Sequence, residues 1–236
     1  MLLQLKKDLL RLKNQTRAKI LSRFFKTGKG QYGQGDIFLA ITVPQQRIIA
    51  IKYRDISLPA LQELLLSEIH EFRFTALLIL IHKFNEADNK KKKEIVDFYI
   101  KNTKYINNWD LVDVSADKIL GNYLLQKDRK ILYKLSHSEN LWERRIAIIA
   151  TYTFIKINSS EDTLKIAEIL LYDKHDLIQK AVGWMLREVG KIDVNIEKEF
   201  LNKYYKKMPR TTLRYAIERF NENTRKFYLG KFQTHK

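Results

Sequence analysis

Four related apolar cores recur along this chain on a period of about 35 residues. They are Phe72-Arg-Phe-Thr-Ala-Leu-Leu, Trp142-Glu-Arg-Arg-Ile-Ala-Ile, Ile178-Gln-Lys-Ala-Val-Gly-Trp and Arg210-Thr-Thr-Leu-Arg-Tyr-Ala. Each closes a pair of helical patterns. The pairs are 58–66 with 70–84, 91–101 with 108–124, 128–135 with 140–155, 163–172 with 176–190, and 197–205 with 209–220. One such pair cannot bury its own apolar face, so neighbours must stack. The expectation is an all-α fold, an α-α superhelix (solenoid) of HEAT-like helical-pair repeats whose second helices line a concave surface. A plain helical bundle is the alternative. Residues 1–236 are read as a single domain of this kind.

The rest of the pattern agrees. Glycine (8) and proline (3) are scarce, which favours helices joined by short loops. Leu2, Leu5, Leu9 and Leu12 keep helical spacing, as do Ile20, Phe24 and Phe25, and a helix start is expected near Pro44. The exception is 27–36, which holds Gly28, Gly30, Gly33 and Gly35. It lacks the strand and Gly-Lys-Ser/Thr ending of a nucleotide-binding loop. The run Lys90 to Lys93 reads as a solvated helix face.

Charge points to the partner. Lys and Arg number 44 against 27 Asp and Glu, a formal net charge of +17. Such a field attracts polyanions. With no cysteine, the chain has no disulfide, no thiolate zinc site and no cysteine nucleophile. His70, His82, His137, His175 and His235 show no metal-ligand spacing and read as surface or packing residues. No metal or other cofactor is expected. The N-terminus alternates apolar and charged residues too soon for a signal peptide, and no apolar stretch is long enough to span a bilayer. A cytoplasmic monomer with no membrane partner is the expectation.

The segment Asn107-Asn-Trp-Asp-Leu-Val-Asp-Val-Ser-Ala116 is the most informative. Asn108 suits a helix N-cap and Asp110 the first turn. Asp113 has no such explanation. It follows Trp109 by one helical turn, so the two share a face continued by Ala116 and Leu120. The residues alone leave open a buried, satisfied carboxylate or a reactive one. Trp184 carries Lys180, Arg187 and Lys191 on one stripe, a pattern suited to phosphates and a flat cationic group, or else a core tryptophan with solvated neighbours. Arg144 and Arg145 point about 100° apart, so at most one faces a groove. Trp142 reads as core. Arg144, Lys180, Arg187, Lys191, Arg210 and Arg214 form the candidate DNA-binding set.

Four stretches resemble the AlkD-like family of DNA alkylation repair proteins, the HEAT-like-repeat DNA glycosylases. They are Tyr32-Gly-Gln-Gly-Asp-Ile-Phe-Leu, Asn108-Trp-Asp-Leu-Val-Asp113, Trp142-Glu-Arg-Arg-Ile-Ala147 and Ala181-Val-Gly-Trp-Met-Leu-Arg-Glu188. The resemblance spans about Tyr32 to Phe220. It implies excision of positively charged N3- and N7-alkylated purines from double-stranded DNA without a cofactor. By position it implies Asp113 as the catalytic carboxylate, Trp109 and Trp184 as the aromatic pair framing the lesion, and Arg145 as a backbone-binding arginine. Phe38-Leu-Ala40 departs from the family's Phe-Leu-Gly, a methyl group that the loop is expected to tolerate. A non-catalytic DNA-binding scaffold, a protein-binding repeat module and an RNA-binding solenoid are the rival readings.

Overall fold

The computed structural model describes residues 1–230. His235 lies outside them. The described residues form helices and turns, with one isolated bridge, Ile37 to Ile69, in place of any sheet. They cluster into two compact units, Met1–Tyr123 and a second from Leu124 on.

The first unit holds α1 (Leu2–Arg11), α2 (Gln15–Phe24), α3 (Val43–Lys52), α4 (Leu58–Leu65), α5 (His70–Glu86), α6 (Asn89–Lys101) and α7 (Trp109–Ala116). A single π turn, Asp117–Gly121, continues α7. Local chemistry sets the starts. Thr42 and Gln45 form a capping box that spans Pro44, and Ser57 and Asp88 accept from Ala60 N and Lys91 N. The axis of the unit is α5, buried at every position from His70 to Ile81 and packed by α3, α4, α6 and α7. A helix apolar on all sides belongs in a core. Its first turn nonetheless carries Glu71 and Arg73 beside His70, all buried.

By contrast, α2 buries no residue. Its helical spacing holds, but Ile20 and Phe24 are 65% and 62% exposed, and only Phe25, one position past the helix, enters the core. The loop after it is pinned by Ile37, whose N–H donates to Glu68 O and whose carbonyl accepts from His70 N, both at 2.9 Å. Ala40 then sits at φ 61°, in the left-handed region that costs an L-residue about 1–2 kcal/mol. Buried Glu71 holds that strained turn, accepting from Leu39 N at 2.9 Å and Ala40 N at 2.6 Å. The methyl is accommodated, and the charge-assisted bonds offset the strain.

The second unit holds α8 (Lys130–Ser136), α9 (Leu141–Ala150), α10 (Tyr152–Ile155), α11 (Glu161–Ile169), α12 (Asp176–Ile192), α13 (Val194–Tyr204), α14 (Arg210–Ala216) and α15 (Glu222–Tyr228). Here α9 packs on α8, α12 on α9, α11 and α13, and α14 on α12, so second helices stack on second helices as helical-pair repeats require. One close approach is at Gly183. A Cβ there would lie 2.5 Å from Thr212 O and from Tyr215 Cβ, so α12 and α14 meet at a distance only glycine permits. The all-α class and helical-pair repeats expected from the sequence are the observed ones, with boundaries displaced by a few residues.

Candidate functional site

In the first unit, Trp109 is the first residue of α7 and Asp113 stands one turn later. Both are half-buried. Fully buried Asn108 caps the helix, its Oδ1 accepting from Trp109 N at 2.8 Å. The indole lies on Phe25, stacked at 5.3 Å and 12°, with the edge of Phe24 6.0 Å away. Phe25 stacks on Phe38 at 4.7 Å, and Phe38 on the His70 ring at 4.5 Å. Phe25 also meets the His70 ring directly, tilted at 5.3 Å, so a cluster of three mutually touching rings backs the tryptophan.

Around His70 lies a charge cluster that sequence reading missed. His70 Nε2 is 2.8 Å from Asp110 Oδ2, and Nδ1 is 3.5 Å from Asp36 Oδ2. Arg73 Nη2 pairs with Asp36 Oδ1 at 2.7 Å, and Asn108 Nδ2 is 3.4 Å from Asp36. His70, Arg73 and Asp36 are at most 4% exposed at their side chains. Burial alone would depress the His70 pKa, but Asp110 and Asp36 outweigh it and raise it to about 9. His70 is therefore charged at neutral pH. Burial pushes the Asp36 carboxyl up, yet His70 and Arg73 hold it below its ordinary value. Of the surface or packing roles expected from the sequence, His70 has the buried one, and two carboxylates meet it there. Asp110 is more than a first-turn acid, since it carries the bond to His70.

In the second unit, α12 bears Lys180, Trp184, Arg187 and Lys191, and α9 and α14 flank it. Trp184 is half-buried, its Nε1 donating to Glu188 Oε1 at 3.0 Å, with the Tyr152 ring 6.2 Å away. Buried Glu188 also accepts from Lys191 at 2.6 Å and lies 3.8 Å from Arg187 Nε. Arg187 pairs with Glu218, and Lys180 with Asp176 at 2.9 Å. The cationic stripe is real but laced with acids, which sit at i±4 spacing on α12 itself and on the helical turn that follows α14. Arg145 is buried, its Nη1 donating to Leu177 O at 2.5 Å, which ties α9 to the start of α12. Arg144 donates to Ser138 O and Glu139 O and pairs with Asp173 at 2.6 Å. Arg210 and Arg214 are exposed on α14, with Arg210 Nη2 3.2 Å from Leu229 O. Trp142 is core, at 7% exposure.

Among the described residues no group of acids and histidines is arranged to hold a metal ion, and no helix is long and apolar enough to cross a membrane.

The arrangement of stacked helical pairs has counterparts among solved structures. A protein from Enterococcus faecalis, described as a predicted DNA alkylation repair enzyme, superposes with a TM-score of 0.70 at 17% identity, over 89% of this chain and 97% of the other. AlkD2 from Streptococcus mutans superposes at 0.57, also at 17% identity, over 87% and 98% of the two chains. At that identity the likeness defines the fold, an AlkD-like helical-repeat architecture. No curated protein matches the sequence. The family assignment comes from the sequence profile of the DNA alkylation repair enzymes, which matches residues 5–220: the chain belongs to that family.

Proposed function

We propose that this protein is a DNA glycosylase that hydrolyses the N-glycosidic bond of positively charged N3- and N7-alkylated purines in duplex DNA. The observation that carries the reading is the pairing of Trp109 with Asp113, a half-buried indole and a half-buried carboxylate one turn apart on α7.

An alkylated purine already bears a positive charge. When its glycosidic bond breaks, the electron pair stays with the base, which departs neutral without a general acid. Positive charge develops on the sugar, as in glycoside hydrolysis. The Asp113 carboxylate stabilises that charge and orients the water whose oxygen bonds to the anomeric carbon, and the water's proton passes to the carboxylate or to solvent. Trp109, backed by Phe25, presents a rigid ring to the cationic nucleotide; such a contact contributes about 1–2 kcal/mol when desolvated. Trp184, oriented by its bond to Glu188, acts in the same way. The net charge of +17 supplies the attraction to the phosphate backbone, with Lys191, Arg210 and Arg214 the exposed cations of the predicted set. Arg145 contributes by tying α9 to the start of α12 through Leu177 O.

Incubating the purified protein with N-alkylated duplex DNA tests the proposal. Release of neutral alkylpurine with an abasic site left behind is expected. DNA binding without release would favour the non-catalytic scaffold instead.

A further inference from the structure

The first turn of α7 is positioned by groups outside it. Asp36 comes from the loop that precedes α3, and His70 and Arg73 from the first turn of α5. They are brought against α7 because the bridge between Ile37 and Ile69 closes the loop onto α5. Two routes then run from His70 to the candidate site. One is the bond to Asp110, the residue after Trp109. The other is the ring cluster, in which Phe25 touches His70 both directly and through Phe38 and stacks on the face of the indole.

We propose that His70 is a positioning residue for the reaction proposed above, on which this inference rests: its charged imidazole clamps Asp110 and so sets where Trp109 and Asp113 stand. The charges facing His70 are Asp110 from α7, Asp36 from the loop, and Arg73 from its own helix. The nearby Glu71 carboxylate is turned away, onto Leu39 N and Ala40 N. Two buried cations therefore oppose two carboxylates. Loss of the His70 proton leaves both carboxylates to Arg73, which reaches only Asp36. Asp110 then loses its charged partner, and one of its oxygens, Oδ1, is already buried without a hydrogen bond. A carboxylate in that state moves toward water and takes the start of α7 with it. Displacements of this kind cost reaction rate far more than they cost binding.

The test combines three readouts on the wild type, His70→Gln and Asp110→Asn. With a duplex carrying one N7-methylated guanine, single-turnover excision in both variants is expected to fall by about 10- to 100-fold while duplex affinity is retained. The wild-type rate should decline as pH rises through about 9, and the His70→Gln rate should show no such step. In a chain keeping Trp109 as its one indole (Trp142→Phe, Trp184→Phe), emission should titrate over the same range and lose that titration with His70→Gln. Wild-type excision by His70→Gln with an unaltered pH profile would overturn the proposal. If the wild type releases no base at all, the functional reading alone falls. Trp109 emission then decides: a His70-dependent midpoint upholds the clamp, and its absence removes it. Should His70→Gln fail to fold, Asp110→Asn probes the same bond from its other side: a slowed rate without the pH step upholds the clamp, and a wild-type rate and profile overturn it.

Discussion

Glu197 is a carboxyl placed where ionisation is costly. It is 2% exposed, its Oε1 has no hydrogen-bond partner, and Oε2 lies so close to Gly190 that a Cβ there would collide with it. Burial raises its pKa from the ordinary 4.5 to about 8, with only the charge of Arg187 pulling the other way. Between those two values the folded chain keeps a proton that the unfolded chain has released. Stability contributed by the neutral carboxyl is therefore intact below pH 4.5, declines as pH rises, and is gone above about 8. At about 1.4 kcal/mol per pH unit, the full interval from 4.5 to about 8 corresponds to roughly 5 kcal/mol. Glu197→Gln keeps the shape and removes the titration. It should leave stability at pH 4.5 nearly unchanged and raise it by roughly 3 kcal/mol at pH 7. For a chain of this size that is about 6–12 °C in Tm. Thermal unfolding followed by circular dichroism from pH 4.5 to 8.5 reads the effect. His70 also loses stability with rising pH, between 6.5 and about 9, so the comparison of wild type with Glu197→Gln isolates the glutamate. Parallel curves for the two proteins would refute the reasoning, because they would mean that Glu197 ionises in the folded state at its ordinary pH.

Two further outcomes follow from the packing and the charges. Gly183→Ala forces a methyl between α12 and the backbone of Thr212 and should cost about 1–3 kcal/mol, or more if α14 cannot shift, read as a lowered Tm with helical content retained. Replacing Lys180, Arg187 and Lys191 together by glutamine should flatten the slope of log affinity against log salt on duplex DNA by up to about 2–3, since each phosphate contact contributes about 0.9; an unchanged slope would move those side chains, each already paired with an acid, off the interface.

Much of this architecture is legible in the sequence because it is written in local spacing. The apolar period and the scarcity of glycine and proline mark the helix pairs, and the one-turn interval between Trp109 and Asp113 places them on one face. What local spacing cannot express is the His70 cluster. Asp36, His70 and Asp110 are brought together only by the Ile37–Ile69 bridge and by α5 packing on α7. Asp110 had a sufficient local explanation as a first-turn acid, which concealed its long-range one. Ala40 shows the same limit, since its left-handed backbone depends on Glu71 from a distant helix. Phe24 follows helical spacing yet faces water, because nothing in the period of α2 says whether a neighbour covers it. The acids on α12 are different. Asp176 and Glu188 stand at i±4 from Lys180 and Trp184 and could have been found by extending the same stripe.

The central claim rests on Asp113. Its most direct test is single-turnover base release from alkylated duplex DNA by wild type beside Asp113→Asn, with duplex affinity measured in parallel. Removing the charge while keeping the shape should abolish most excision, by about 10²-fold or more, and leave affinity intact. Excision at the wild-type rate by Asp113→Asn would contradict the account and leave Asp113 a structural carboxylate on the face of Trp109.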